Sequence, residues 1–152
     1  WRLLHESARP YTLRDRSAQV ARGRQLHVEL ELEPRGAADA GLELCAGPLG
    51  QVRLLYTRDG QLTLTRAGEH LPAAMQHPCG GPVPLRGGCL QLEAWLDSHS
   101  LEVFAQGGRH VLSARLVPAR GHEALRLLAR DGAVVVHHLS VHRLERERAV
   151  AP

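Results

Sequence analysis

Apolar and polar residues alternate along most of the chain, and this period of two predicts strands rather than helices. The segment QLHVELELE (25–33) places leucines and a valine on one face, and a histidine and three glutamates on the other. Such a pattern is typical of an antiparallel strand with one face in the core. The segments GLELCA (41–46), QVRLLY (51–56) and QLTLTR (61–66) then predict a meander of three strands.

The second half of the chain shows the same alternation after residues 67–89, whose Pro, Gly and His residues predict a long loop. The strands predicted there span 89–97, 100–106, 110–117, 123–129 and 133–144. Short strands at this spacing predict an all-β fold, an antiparallel β-sandwich of two packed sheets, of the concanavalin-like or jelly-roll type. We expect this module to occupy residues 25–144, after an N-terminal extension or linker (1–24) and before a charged, frayed tail (145–152).

The stretch LEAWLDSHSLEVFAQGG (92–108) predicts a β-hairpin with a polar tip. If Asp97 pairs with Glu102, Trp95 lies opposite Phe104, and all the aliphatic side chains of the two strands share the core face. The opposite, outer face then carries Glu93, Trp95, Asp97, Glu102, Phe104 and Gln106.

The polar residues of this hairpin do not predict an active site. Asp97, Ser98, His99 and Ser100 are consecutive in a turn and point apart, whereas a catalytic triad must converge. Asp97 and Glu102 would lie near the ~5–5.5 Å spacing of a retaining glycosidase. An open hairpin face, however, supplies no pocket that holds a sugar and excludes water. We therefore interpret these carboxylates as turn and surface groups.

Composition excludes several other functions. The net charge is +3 and the pI about 9.1, but every basic residue is arginine and the arginines are scattered, which argues against nucleic-acid binding. No apolar run approaches the ~20 residues of a membrane-spanning helix. We therefore expect neither a nucleic acid nor a membrane as partner.

No cofactor or metal site is predicted either. The three cysteines, Cys45, Cys79 and Cys89, form no CxxC pair, so free thiols are favoured, and a Cys79–Cys89 bridge stays open if the protein is secreted. His138 and His142 share a strand face about 13 Å apart, too far for one ion.

The hairpin and the strand after it resemble the signature of the C-terminal β-sandwich module of glycoside hydrolase family 32, the invertases, levanases and inulinases. In LEAWLDSHSLEVFAQGGRHVLSARLVP the family's pattern falls in order: Asp, small polar residues, Glu-Val-Phe, a glycine turn, and a strand closing in Ser-x-Arg-apolar-x-Pro. The closing VVVHHLSVHRL is similar to the family's final strand. Thr65 departs from the family, which often has an Asp there.

The resemblance implies that the chain is not itself an enzyme. In that family the catalytic carboxylates lie on an N-terminal five-bladed propeller, in motifs that this chain lacks. The resemblance implies a non-catalytic module that packs on a propeller and stabilises it or mediates a homodimer. Secretion as part of a larger glycosidase stays open.

Related modules bind terminal fructose units of fructans, so a fructose-containing carbohydrate is the alternative partner. Aromatic residues make up only 3% of the chain, so we expect charged groups to hold such a sugar. The candidate ligand-binding residues are Trp95, Asp97, Glu102, Phe104 and Arg115. Trp95 and Phe104 could instead pack against a loop, a second sheet or the propeller, and a protein-interaction sandwich is a third hypothesis.

Overall fold

The structure, a computed structural model, describes residues 1–145 as strands joined by short turns and one 3₁₀ helix (Ala73–Gln76). The strands are β1 (Arg2–Glu6), β2 (Tyr11–Arg22), β3 (Leu26–Arg35), β4 (Asp39–Gly47), β5 (Gly50–Thr57), β6 (Gln61–Gly68), β7 (Cys79–Pro82), β8 (Leu90–Asp97), β9 (Ser100–Ala105), β10 (His110–Arg115) and β11 (Ala124–Arg143).

The two layers of the sandwich share one long strand. The order is β10-β9-β8-β3-β11-β4-β5-β6-β7, with all neighbours antiparallel. The first half of β11 pairs with β4 and its second half with β3, so the sheet folds over along β11. At the far ends β6 approaches β10, where Arg66 donates a hydrogen bond of 2.7 Å to the carbonyl oxygen of Arg115. The predicted antiparallel β-sandwich is thus confirmed.

The core lies between the layers and consists mostly of leucine and valine. In β3 the predicted apolar face is buried, at Leu26, Val28, Leu30 and Leu32, each at most 2% exposed. These side chains pack with their counterparts on β8, β9 and β11 into one continuous cluster. Burial of aliphatic side chains at about 25 cal/mol per Å² is the main force that holds the layers together.

The hairpin forms, but the predicted register is wrong by two residues. Asp97 pairs with Ser100 and Trp95 with Glu102, because the turn contains only Ser98 and His99. Side chains alternate with a period of two, so a shift of two keeps every strand residue on its predicted face. Gln106 is the exception: it follows the end of β9, has φ of 54°, and is buried at 2% exposure rather than on the outer face.

Two segments differ from the predicted strands. The segments 123–129 and 133–144 are one strand of 20 residues, because Asp131-Gly132 forms an irregularity in the pairing instead of a reversal. Gly132, with φ of 140°, lies so close to Gly36 that an added Cβ would be 2.6 Å from its carbonyl oxygen. The predicted loop 67–89 contains the 3₁₀ helix and β7, which pairs with β6.

The N-terminal residues belong to the sheet. Residues 1–24, expected to form an extension or linker, supply β1 and β2, and both strands pair with β11. The predicted tail lies outside the described residues except for Glu145. Within residues 1–145 the structure has no helix with the length and apolar character needed to cross a bilayer.

Candidate functional site

The five predicted ligand-binding residues lie on the outer face of the layer that contains β3, β8, β9 and β10. The backbone register gives three cross-strand rows on β8, β9 and β10: Glu93-Phe104-Val111, Trp95-Glu102-Ser113 and Asp97-Ser100-Arg115. The alternation explains why these side chains share a face.

The five residues do not converge on one point. The Glu102 carboxylate accepts a hydrogen bond from the Ser113 hydroxyl, on the neighbouring strand. Asp97 accepts hydrogen bonds from the backbone N–H of Ser98 (2.7 Å) and from the Gln25 amide (3.1 Å), and so fixes its own turn. Arg115 is exposed at the end of β10. Hydrogen bonds to the hairpin turn, to Gln25 and to β10 therefore occupy the two carboxylates first considered for catalysis.

Trp95 faces β3, and the N-terminal residue covers it. Its ring lies 4.0 Å from that of His27, between ring centroids. Trp1, which is itself 70% exposed, packs edge-on against Trp95, with ring centroids 5.4 Å apart, and at a tilt against His27, with centroids 5.1 Å apart. Consequently His27, on a strand face predicted to be solvated, is only 4% exposed. His142, opposite His27 on β11, completes this aromatic cluster.

A histidine–carboxylate group lies directly beside the aromatic cluster. The Nε2 atom of His27 is 2.9 Å from Oε1 of Glu93 and 3.9 Å from Oε1 of Glu29. The indole N–H of Trp95 donates a 3.1 Å hydrogen bond to the same Glu93 oxygen. His138 Nε2 lies 3.9 Å from the second oxygen of Glu29. No local pattern in the sequence indicates this group, because His27 and Glu93 lie 66 residues apart on different strands.

A shallow cavity of about 240 Å³ opens next to this group. Phe104 and the hairpin glycines Gly107 and Gly108 line one part of it. The polar side chains that line it are Glu29, Glu31, Gln91, Glu93 and His138. Phe104 supplies a flat apolar surface, and the carboxylates supply hydrogen-bond acceptors and negative charge. This arrangement can accept hydrogen bonds from the hydroxyl groups of a ligand or bind a cation, but it is too shallow to shield a bound ligand from water.

Two further polar groups are structural. Glu33, next along the same face, accepts hydrogen bonds from His137 and Arg35, and these bonds, led by that of His137, lower the pKa of its carboxyl. In the other layer Glu43 is 7% exposed and binds Arg53 at 2.9 Å and Arg126 at 3.0 Å, with each arginine opposite it on a neighbouring strand.

The cysteines are free thiols in the structure. Burial raises the pKa of the Cys45 thiol to about 11. Burial also raises the pKa of Cys89, with a further contribution from the nearby carboxylates of Glu31 and Glu33. Neither thiol has the lowered pKa of a nucleophilic cysteine.

Comparison with known proteins gives a consistent result. The family described as "Glycosyl hydrolases family 32 C terminal" matches residues 4–143. The levanase of Bacillus subtilis is 26% identical over 133 residues, which cover 84% of this chain and 20% of the levanase. The sucrose-6-phosphate hydrolase of Escherichia coli is 28% identical over 137 residues, 88% of this chain and 27% of that protein.

A solved structure shows the same fold. The exo-inulinase of Aspergillus awamori superposes with a TM-score of 0.84 at 21% identity, covering 95% of this chain and 29% of the inulinase. The chain therefore spans between a fifth and a third of the length of these three proteins.

Proposed function

Because this chain belongs to the family of glycosyl hydrolase family 32 C-terminal domains, we propose that it is the non-catalytic β-sandwich module of a fructan- or sucrose-cleaving hydrolase. The observation that carries the proposal is the family match over residues 4–143, combined with the small share of the levanase and the sucrose-6-phosphate hydrolase that the chain covers. The module packs on a catalytic propeller in the same polypeptide and stabilises it.

The outer face supports a module without catalysis of its own. Asp97 binds its own turn and Glu102 binds Ser113 on β10, and in the observed register the two carboxylates are diagonal rather than opposite neighbours. Glu93 is bound to His27 and Trp95. A glycosidase needs one carboxylic acid and one carboxylate across a bound, desolvated sugar. The open face of this layer offers no such enclosure.

Activity measurements on the purified chain and on a longer protein that contains it test this proposal. The chain alone should release no reducing sugar from sucrose, levan or inulin. Deleting the module from the longer protein should lower its thermal stability and, through that, its activity at higher temperature. Hydrolysis by the purified chain, or a deletion without effect on stability, would contradict the proposal.

A second candidate function is carbohydrate binding, favoured by the cavity in which Phe104 meets several carboxylates. An aromatic surface beside hydrogen-bond acceptors is the usual composition of a sugar-binding site. Calorimetric titration with levan, inulin, sucrose and fructose tests this function. Binding should be lost in Phe104→Ala and kept in Val111→Ala, which removes an exposed apolar neighbour from the same row. A flat titration at millimolar ligand removes this candidate.

The other predicted ligand-binding residues enter the same experiment. Trp95 is turned toward His27 and Glu93, so its substitution should alter the aromatic cluster before it alters a sugar site. Asp97, Glu102 and Arg115 lie on the outer face away from the cavity lining, and Arg115→Ala should leave any binding in the cavity unchanged.

A further inference from the structure

Two carboxylates face each other directly on the outer face without an arginine between them. Glu29 on β3 and Glu93 on β8 are register partners. Like charges that are directly opposite in a sheet repel and lower its stability. Glu31 adds a third carboxylate to the adjoining cavity, and no arginine among residues 1–145 lines that cavity. Within this part of the chain, negative charge is thus concentrated where no arginine balances it.

A buried imidazole points at this carboxylate pair. The side chain of His27 is 5% exposed, and its Nε2 lies 2.9 Å from Glu93 and 3.9 Å from Glu29. Its other nitrogen, Nδ1, is buried and has no hydrogen-bond partner among the described residues 1–145. The Nε2 edge is therefore the side through which the ring can engage a ligand.

The three side chains have the spacing of metal ligands. Ligand atoms from His27, Glu29 and Glu93 all lie within 4.8 Å of one another. A tetrahedral zinc ion, with bonds of about 2.0–2.2 Å, separates its ligand atoms by roughly 3.3–3.6 Å. The observed distances of 2.9 and 3.9 Å lie on either side of that value. Glu29 is half-exposed, so a side-chain rotation brings its oxygen into place.

Neighbouring groups contact all three ligands. Trp95 packs on the His27 ring and donates its indole N–H to Glu93. His138 approaches the second oxygen of Glu29. Hydrogen bonds to ligating carboxylates, such as that from Trp95 to Glu93, orient metal ligands, and their loss costs roughly 10- to 100-fold in affinity in known sites.

From this geometry we propose that the outer face binds one divalent transition-metal ion of the zinc class through His27 Nε2 and the carboxylates of Glu29 and Glu93. One imidazole with two carboxylates is a ligand set that suits zinc. The fourth position is taken by water or by an oxygen of a ligand in the adjoining cavity. The ion neutralises the repelling carboxylates and ties β3 to β8.

Calorimetric titration of the chelator-treated chain with zinc chloride tests the proposal. One equivalent should bind, and Glu29→Gln and Glu93→Gln should each weaken the affinity at least about tenfold. Glu31→Gln is the matched control, because it removes a carboxylate from the same face and cavity outside the ligand set; its affinity should change less than about threefold. Glu29→Gln should also raise the melting temperature of the metal-free chain, because it removes the repulsion between Glu29 and Glu93. If Glu29 were only structural, the substitution would lower the melting temperature as well as the zinc affinity.

Cobalt(II) distinguishes this site from the thiols and the other histidines. Bound at the proposed site, cobalt should quench tryptophan fluorescence, because Trp95 adjoins two of the ligands, and should show no thiolate charge-transfer band. A thiolate band, binding that survives both glutamine substitutions, equal weakening in Glu31→Gln, or no heat up to about 100 µM zinc overturns the proposal. Circular dichroism of each variant confirms that it is folded before titration.

Discussion

Gln106 provides the sharpest test of how the hairpin is anchored. Its buried side-chain amide donates hydrogen bonds to the carbonyl oxygens of Pro84 (2.8 Å) and Cys89 (3.0 Å), and its carbonyl oxygen accepts one from the backbone N–H of Gln91 (2.9 Å). One side chain therefore satisfies three backbone groups of the loop before β8 and of β8 itself. Gln106→Ala removes all three bonds. The Cys89 carbonyl oxygen keeps the hydrogen bond from the Arg86 N–H (3.0 Å), so the groups that lose this partner without such a replacement are the Pro84 carbonyl and the Gln91 N–H.

The expected loss can be worked out from these contacts. A buried polar group left without a partner costs about 1–3 kcal/mol. The site is only partly buried, so water reaches these groups and the lower value applies to each of the two, which gives about 2 kcal/mol in total. The positive φ does not enter the difference, because alanine and glutamine carry similar strain there. For a domain of this size the loss corresponds to about 4–8 °C in melting temperature.

Urea unfolding followed by circular dichroism measures this loss, with an unchanged m-value as evidence that the unfolding transition is the same. Gln91→Ala is the control, because its side chain is exposed and its backbone bond remains; it should cost less than about 0.5 kcal/mol. Hydrogen exchange at the Gln91 amide should accelerate only in Gln106→Ala. A loss below about 0.5 kcal/mol in Gln106→Ala, or unchanged exchange, would refute the reasoning.

Three further predictions follow from charges and burial. Burial lowers the pKa of His122 from 6.5, and the nearby His70 and Arg24 lower it further. Near that pH the unfolded chain therefore binds a proton that the folded chain does not. Stability should therefore fall as pH decreases below about 6.5, and His122→Gln should reduce that slope in urea unfolding at several pH values; an unchanged slope contradicts the assignment. Glu43→Ala should lower the free energy of unfolding by about 1–2 kcal/mol, because Arg53 and Arg126, each about one-third exposed, lose their partner. Glu43→Gln should cost less. Equal melting temperatures of the two variants would count against this. A thiol reagent at pH 8 should react fast with exposed Cys79 and not with buried Cys45, whose pKa is about 11. A fast reaction that persists when both Cys79 and the half-buried Cys89 are replaced by serine would contradict the burial of Cys45.

The local pattern of the sequence was enough to predict which face β3, β8 and β9 each bury. In β3, β8 and β9 the alternation assigns inner and outer side chains as the structure has them, and even the wrong register of the hairpin left the strand faces intact. The physical reason is that side-chain direction follows backbone geometry with a period of two, which needs no information from elsewhere in the chain. The short signature around Asp97 and Glu102-Val103-Phe104 likewise indicated the family that the comparisons confirm.

Strand order and the chemistry of the outer face depended on the tertiary structure. β8 pairs with β3, from which the long meander separates it, and this brings Glu93 to His27 and Glu29. Trp1 reaches the same place because β1 pairs with β11. Pairing between strands distant in sequence is decided by how the whole core packs. The alternation within a strand does not indicate which other strand it pairs with.

Positive φ angles account for two further differences between the predicted and the observed structure. Asp131 and Gly132 leave β11 unbroken where the sequence indicated a turn, and Gln106 turns inward where alternation placed it outside. An Asp-Gly pair serves a turn or an irregularity in a strand equally well, since both need positive φ. Which one forms is decided by the strands on either side: β11 continues because β2 pairs with it both before and after Asp131-Gly132.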